Sequence, residues 1–386
     1  MKPTETKIWK RIDWITVVLV LLLVGFGLVS IANTMAAPFT GEEDSLSDYI
    51  GRLNMEYVQR QIINFLVGVA AMLVVMVVDY ALLKPIIPFV YGANVAFLLV
   101  LIIAGKTSRG VAGWFILEAI DRAIQPAELC KISIILMLSL HVSKSIEKHG
   151  SLKRFKDIIV CLAIVALPTA LVMLQPDFGT AFVFICIMAV VFFVARIGWK
   201  YIVAAAAAIA AGLPLGYFFL MNDDQRLRID VFLNPELDPL NAGFHVTQSK
   251  IAIGSGQMWG KGYFTEGTLA QLKYVPERHT DFIFAGIVEG LGFVGGVLLI
   301  VTFFVLMFRW LWVGIKARDA FGRCIAIGAM GMLLAHVFEN IGMTIGLMPV
   351  TGIPLPFISY GGSNLLTNMI AVGLVMNVWM RRAQRG

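Results

Sequence analysis

The densest group of reactive side chains in this sequence is Val275-Pro276-Glu277-Arg278-His279-Thr280-Asp281-Phe282. It sets an acid, a guanidinium, an imidazole and a second acid within about a turn of a long apolar stretch. A carboxylate at the last polar position before such a stretch is partly desolvated, which raises its pKa and suits it to general-base chemistry. The same spacing suits Thr280 and Asp281 to capping the next helix, and composition alone slightly favours the cap. Other charged groups fall inside apolar stretches, where each costs at least about 2.5–3.5 kcal/mol and so needs a partner or a purpose. Glu128 and Lys131 in Gln125-Pro126-Ala127-Glu128-Leu129-Cys130-Lys131 are three apart on one helix face, as a self-neutralised pair or as an ionic post facing a polar cavity. Asp177, in Gln175-Pro176-Asp177-Phe178-Gly179-Thr180, reads first as a helix cap at a tight turn. Glu289, His336, Glu339 and Asn340 read as hydrogen-bonding glue between helices, with His336 and Asn340 sharing one face.

The elements that must carry these groups are membrane helices. Hydrophobic residues make up 59% of the 386 residues and charged ones 15%, with a mean hydropathy of +0.82, against about 45–50% and 25% in soluble domains. Apolar stretches long enough to span a bilayer run approximately over residues 14–35, 61–78, 86–104, 125–142, 157–174, 178–195, 200–221, 282–310, 324–348 and 363–380. The expected fold is an all-α polytopic membrane protein of about ten transmembrane helices, forming a single domain over residues 1–386. The stretch after Asp13 is too long for a signal-peptide core and reads as a retained first helix. Cys130, Cys161, Cys186 and Cys324 lie in apolar runs without metal-ligand spacing and read as packing residues.

Lysine and arginine collect in the connections on one side, among them Lys144, Lys148, Lys153, Arg154, Lys156, Arg309, Lys316, Arg318, Arg323, Arg381 and Arg382. Glu42, Glu43, Asp44, Asp48 and Glu56 lie on the other side. Cationic flanks stay in the cytoplasm, so both termini are expected there. The net charge of +6 thus reflects topology, and no basic recognition helix argues for nucleic acid. Residues 222–281, between the seventh and eighth helices, form an unusually long outer loop that is functional or disordered by length. Its aromatic residues and its Asn234-Pro235 and Asp238-Pro239 turns argue for order, as short helices at the membrane face.

Taken together, these strings resemble the SEDS family (shape, elongation, division and sporulation) over essentially the whole chain. Besides those above, the matching strings are Phe232-Leu233-Asn234-Pro235, Gln248-Ser249, Ala252-Ile253-Gly254-Ser255-Gly256 and Gly260-Lys261-Gly262. Near the end come Met348-Pro349-Val350-Thr351-Gly352 and Pro354-Leu355-Pro356-Phe357-Ile358-Ser359-Tyr360-Gly361-Gly362-Ser363. The Asn-Pro-Glu-x-Asp-Pro run and Pro-Val-Thr-Gly string resemble the elongation branch more than the division branch. Departures are Gly290 after Glu289, Gly113 before Trp114, and Asn364 in place of a frequent serine.

The resemblance implies a peptidoglycan glycosyltransferase that polymerises lipid II at the outer face of the bacterial cytoplasmic membrane, beside membrane lipids and a class B penicillin-binding protein. It implies Asp281 as the catalytic base, with Glu128 and Lys131 at a second site by the cavity. Arg109, Lys261, Asp177 and His279 are further cavity or substrate candidates, Arg109 and Lys261 as phosphate contacts. No cofactor is certain, and a divalent cation (Mg2+ or Mn2+) would have no sequence-defined ligand cluster. A lipid II flippase and a non-enzymatic scaffold for the penicillin-binding protein are the competing readings.

Overall fold

Each apolar stretch read from the sequence forms a helix in the computed structural model, which describes residues 11–38, 46–104, 106–108, 111–117, 122–220, 223–239 and 242–382. In chain order the helices are α1 (Trp14–Met35), α2 (Leu46–Arg52), α3 (Met55–Val77), α4 (Ile87–Ala104), α5 (Pro126–His149), α6 (Phe155–Met173) and α7 (Phe178–Val194). There follow α8 (Trp199–Leu215), α9 (Asp223–Leu233), α10 (Ala242–Ser255), α11 (Ile283–Ile315), α12 (Ala320–Thr344) and α13 (Gly362–Met380). Among the described residues eight helices are long and apolar enough to cross a membrane, and α4 and α7 are shorter apolar helices. The all-α polytopic class therefore stands. Helices α9 and α10 occupy the long segment between the seventh and eighth spans.

One element departs from the helical pattern. Strands β1 (Lys106–Ser108), β2 (Val111–Leu117) and β3 (Arg122–Ile124) form an antiparallel sheet in the connection before α5, in the order β1-β2-β3. The β-branched and aromatic residues of β2 suit a strand. A ladder also satisfies backbone groups locally where the chain meets the membrane.

The helices are polar inward and apolar outward. On α3, Gln61 and Asn64 are buried while Leu66 and Val74 are exposed, the arrangement lipid requires of a bundle whose polar groups must find partners inside it. Helix α12 is the axis, packed on α5, α7, α11 and α13, and α13 lies along α3. No described side chain of α8 is buried.

The end of the bundle that carries the basic connections is laced by ion pairs. Arg309 Nε donates to both Asp13 carboxylate oxygens at 3.0 Å, and Arg309 and Arg382 both lie over the Trp379 ring. Arg318 and Arg381 each reach Asp79 at 3.4 Å.

Helix α11 is broken at Gly292, whose φ of 69° and ψ of −171° lie outside the helical region. The break frees two donors and two acceptors, and the preceding outer segment takes up all four. Phe293 N donates to Gln257 O at 2.8 Å and Val294 N to Met258 O at 3.2 Å; Lys261 N donates to Glu289 O at 3.0 Å and Gly262 N to Gly290 O at 2.9 Å. Irregular backbone at membrane depth survives only when such groups are re-satisfied within the protein.

Candidate active site

The polar groups singled out in the sequence converge at the other end of the bundle, where α5, α7, α11 and α12 meet the outer segments. The first two turns of α5 carry Glu128 and Lys131, both buried, and their Oε1–Nζ distance is 2.6 Å. Lys131 Nζ also lies 2.8 Å from His336 Nε2 on α12, so the i,i+3 pair extends across to a second helix. Asn340, one turn beyond His336 on the same face, donates to Asp281 O at 2.8 Å and Ile353 O at 2.7 Å. Helix α12 thereby joins the Glu128–Lys131 pair to the segment that holds Asp281.

Asp177 caps α7 as its spacing suggested. Its Oδ1 accepts from Thr180 N at 3.0 Å, and its Oδ2 accepts from Thr180 Oγ1 at 2.9 Å and from Gln125 Nε2 at 3.0 Å. The cap therefore ties α7 to the start of α5. A Cβ on Gly179 would lie 3.0 Å from Glu339 Oε1, which brings this turn against α12. Several buried atoms here have no protein partner among the described residues: Glu128 Oε2, His336 Nδ1, both Glu339 carboxylate oxygens and Asn340 Oδ1. An unsatisfied buried polar atom costs about 1–3 kcal/mol, so this cluster is a candidate for a role beyond packing.

Asp281 stands at the mouth of this cluster, partly exposed. The N-cap position of α11 falls on Phe282 and carries no side-chain cap, so neither Thr280 nor Asp281 occupies it. Three consecutive carbonyls set the placement of Asp281. His279 O accepts from Tyr360 N at 2.9 Å, Thr280 O from Ser359 Oγ at 2.6 Å, and Asp281 O from Asn340 Nδ2. Gln61 on α3 holds the opposite side of that clasp, donating to Ser359 O at 3.0 Å and accepting from Gly361 N at 3.2 Å. Gly352 leaves room beside the carboxylate, since a Cβ there would lie 3.5 Å from Asp281 Oδ2. The His279 ring meets Tyr57 edge-on at 5.0 Å and Tyr360 at 5.6 Å between centroids.

Glu289 and Lys261 form a separate cluster. Buried Glu289 accepts from Lys261 Nζ at 2.9 Å, Leu269 N at 2.7 Å, Ala270 N at 3.1 Å and Ser255 Oγ at 3.5 Å. It anchors the outer segment to α11, and the Lys261 ammonium is engaged in that anchor. The far end of α1 does similar work: Thr34 O accepts from Arg278 Nε at 2.7 Å, and Asn33 Oδ1 from Phe264 N at 2.7 Å. Burial lowers the pKa of the Arg278 guanidinium. Arg109 lies outside the described residues. No group of three or more His, Cys, Asp or Glu among the described residues could hold a metal ion.

Sequence reasoning missed Gln61, Asn33, Ser359 and Tyr360 as positioning groups. Ser359 and Tyr360 lie in a string already noted for its resemblance, but Gln61 and Asn33 sit at the ends of apolar helices where a lone amide carries no local signal.

Ten apolar helices among the described residues, with polar groups turned inward and clustered at one end of the bundle, define an integral membrane protein. The particular family follows from comparison. The family model described as "Cell cycle protein", that of FtsW, RodA and SpoVE, matches residues 13–384. The chain is 38% identical over 324 residues to peptidoglycan glycosyltransferase MrdB of Escherichia coli K12, covering 84% of this chain and 86% of that protein. It is 34% identical over 376 residues to stage V sporulation protein E of Bacillus subtilis, covering 95% and 96%. Peptidoglycan glycosyltransferase RodA of Treponema pallidum is 31% identical over 401 residues, with 86% and 91% covered. Among solved structures, a chain from a peptidoglycan synthase complex that coordinates polymerisation and crosslinking superposes with a TM-score of 0.77 at 27% identity, covering 97% and 99%. Thermus thermophilus RodA shares the fold at a TM-score of 0.68. The chain belongs to the FtsW/RodA/SpoVE family.

Proposed function

We propose that Asp281 is the general base of this enzyme's glycosyl transfer, acting on lipid II at the outer face of the cytoplasmic membrane. The chain is a peptidoglycan glycosyltransferase, as the family match and the names of its relatives carry. The observation that supports Asp281 is the clasp on the carbonyls of residues 279, 280 and 281. It holds a partly exposed carboxylate beside a buried polar cluster, on backbone held from α12 and from the segment before α13.

In the reaction the 4-hydroxyl of an acceptor N-acetylglucosamine attacks the anomeric carbon of a donor N-acetylmuramic acid. The new C–O bond forms as the bond to the diphosphate oxygen breaks, the electron pair leaves with undecaprenyl pyrophosphate, and the hydroxyl proton passes to Asp281. The alpha-linked diphosphate becomes a beta-1,4 link. General-base help of this kind is worth roughly 10²–10⁴-fold. Glu128 and Lys131 belong to that cluster, whose unpartnered acceptors suit sugar hydroxyls. The basic connections at one end of the bundle support a cytoplasmic position for both termini. A class B penicillin-binding protein is the crosslinking partner, a reading supported by the likeness to a chain of a synthase complex.

The test is strand formation from lipid II by purified protein, with and without that partner, resolved by gel. Wild-type protein yields glycan strands, and Asp281→Asn yields none while keeping the wild-type melting temperature. Strands from the folded variant would overturn Asp281 as base.

A further inference from the structure

A lysine ammonium has hydrogens to donate and no lone pair to accept with. Lys131 is wholly buried, and Glu128 Oε1 at 2.6 Å holds it as an ammonium. Its second contact, 2.8 Å to His336 Nε2 on α12, therefore decides the state of the ring. A hydrogen on Nε2 would face a group unable to accept it, so Nε2 is the bare acceptor, the ring proton sits on Nδ1 and the imidazole is uncharged. An imidazolium would also set a second positive charge against the first inside a membrane bundle, where a single one is already costly.

His336 stands where two parts of the site are tied to one helix. Asn340, which shares its face of α12, donates to Asp281 O and Ile353 O, while His336 accepts from Lys131. Residues i and i+4 lie one above the other on a helix, so α12 carries, a turn apart, a bond to the backbone of Asp281 and a bond to the ion pair of α5. The start of α5 is fixed as well: Gln125 donates through Nε2 to Asp177 and through its amide N to Ser363 Oγ at 3.2 Å. The long stem of Lys131 can meet Glu128, on its own helix, in more than one rotamer. An acceptor on a second helix leaves only the arrangement that reaches both.

We infer that His336 is a positioning residue for the glycosyl transfer: its bare Nε2 holds the Lys131 ammonium in one place, on the helix face that also holds Asp281. The inference rests on the reading above, in which Asp281 and the Glu128–Lys131 pair belong to one site. His336 exchanges no proton and touches no substrate; it acts through Lys131. What the position requires is an acceptor of the right reach. Glutamine supplies one, since its Oε1 takes the place of Nε2. Leucine supplies none, and the oxygen of asparagine reaches only as far as Nδ1.

The test uses the full-length protein, in detergent micelles with lipid II for kinetics and in lipid bilayers with isotope-labelled histidine for solid-state NMR. The wild-type spectrum contains a neutral ring protonated on Nδ1. The chain has five histidines, so loss of that signal in His336→Gln assigns it, and its displacement in Lys131→Met reports the bond. A doubly protonated ring at His336, or one protonated on Nε2, would overturn the inference. In strand formation His336→Gln keeps most of the activity. His336→Leu loses about 10- to 100-fold in kcat with little change in KM, the scale of a small misplacement near a reacting centre. His336→Asn does the same and replaces the leucine variant if that one does not fold. Equal losses in the glutamine and leucine variants would make the ring a packing element, and full activity in a folded leucine or asparagine variant would show that Lys131 needs no second partner. Either result overturns the positioning role and leaves Asp281 as base intact, whereas a wild type that makes no strands overturns both.

Discussion

Asn340 spends both of its amide hydrogens on backbone carbonyls, those of Asp281 and Ile353. Replacing it by Ala leaves both without that donor and loosens the residue expected to take the substrate proton. Asn340→Ala should lower thermal stability by about 1–3 kcal/mol and reduce kcat by about 10- to 100-fold with little change in KM, since small misplacements of a reacting group carry penalties of that order. Melting curves and strand assays on the same preparation separate the two effects. At this scale the sequence was legible wherever partners lie on one helix. Glu128 with Lys131, and His336 with Asn340, follow from helical spacing alone, as does the Asp177 cap. Lys261 with Glu289 is a contact between different elements, and nothing local distinguishes an engaged lysine from an uncompensated one.

Among the elements, α10 offers a pH-dependent handle. His245 packs edge-on against Phe282 at 5.9 Å between centroids. Burial lowers its pKa below the usual histidine value, against the opposing pull of Glu277 and Asp238. The unfolded chain binds a proton near pH 6.5 while the folded chain resists it, so this contribution to stability is full above about 6.5 and fades as pH falls toward the folded value. Melting temperature should therefore drop on acidification from pH 7.5 to 5.5, and by less in His245→Phe. The break in α11 gives a second expectation. Gly292 occupies a region of backbone space that is essentially glycine-only, and a Cβ there would strike Met258 and Gly260 backbone atoms. Gly292→Ala should lose more than about 1–3 kcal/mol and expose residues 255–265 to limited proteolysis. The long apolar periodicity announced every spanning helix. It gave no hint of the β1-β2-β3 sheet, where the run of residues 111–117 is too short to separate strand from loop by pattern. The glycines of α11 marked an irregularity, but its geometry depends on a segment some thirty residues earlier in the chain.

For the whole molecule, the two ends differ in kind. One end is closed by Asp13–Arg309 and the Asp79 pairs, and the other carries the buried polar cluster together with α9 and α10. With the basic end in the cytoplasm, a cysteine placed at Glu236 should react with a membrane-impermeant maleimide on intact cells. One placed at Lys153 should react only after permeabilisation, and the reverse pattern would invert the topology. The native thiols interfere little, because Cys130, Cys161 and Cys324 are buried. The broken helix also bears on the order of assembly. Unbent, α11 would bond Phe293 to Glu289 and Val294 to Gly290 internally, and so could enter the bilayer as an ordinary spanning helix with no exposed backbone. Docking of residues 257–262 exchanges those two bonds for four. The bend therefore requires the docked segment, and a helix that entered the bilayer straight would acquire this face only on docking.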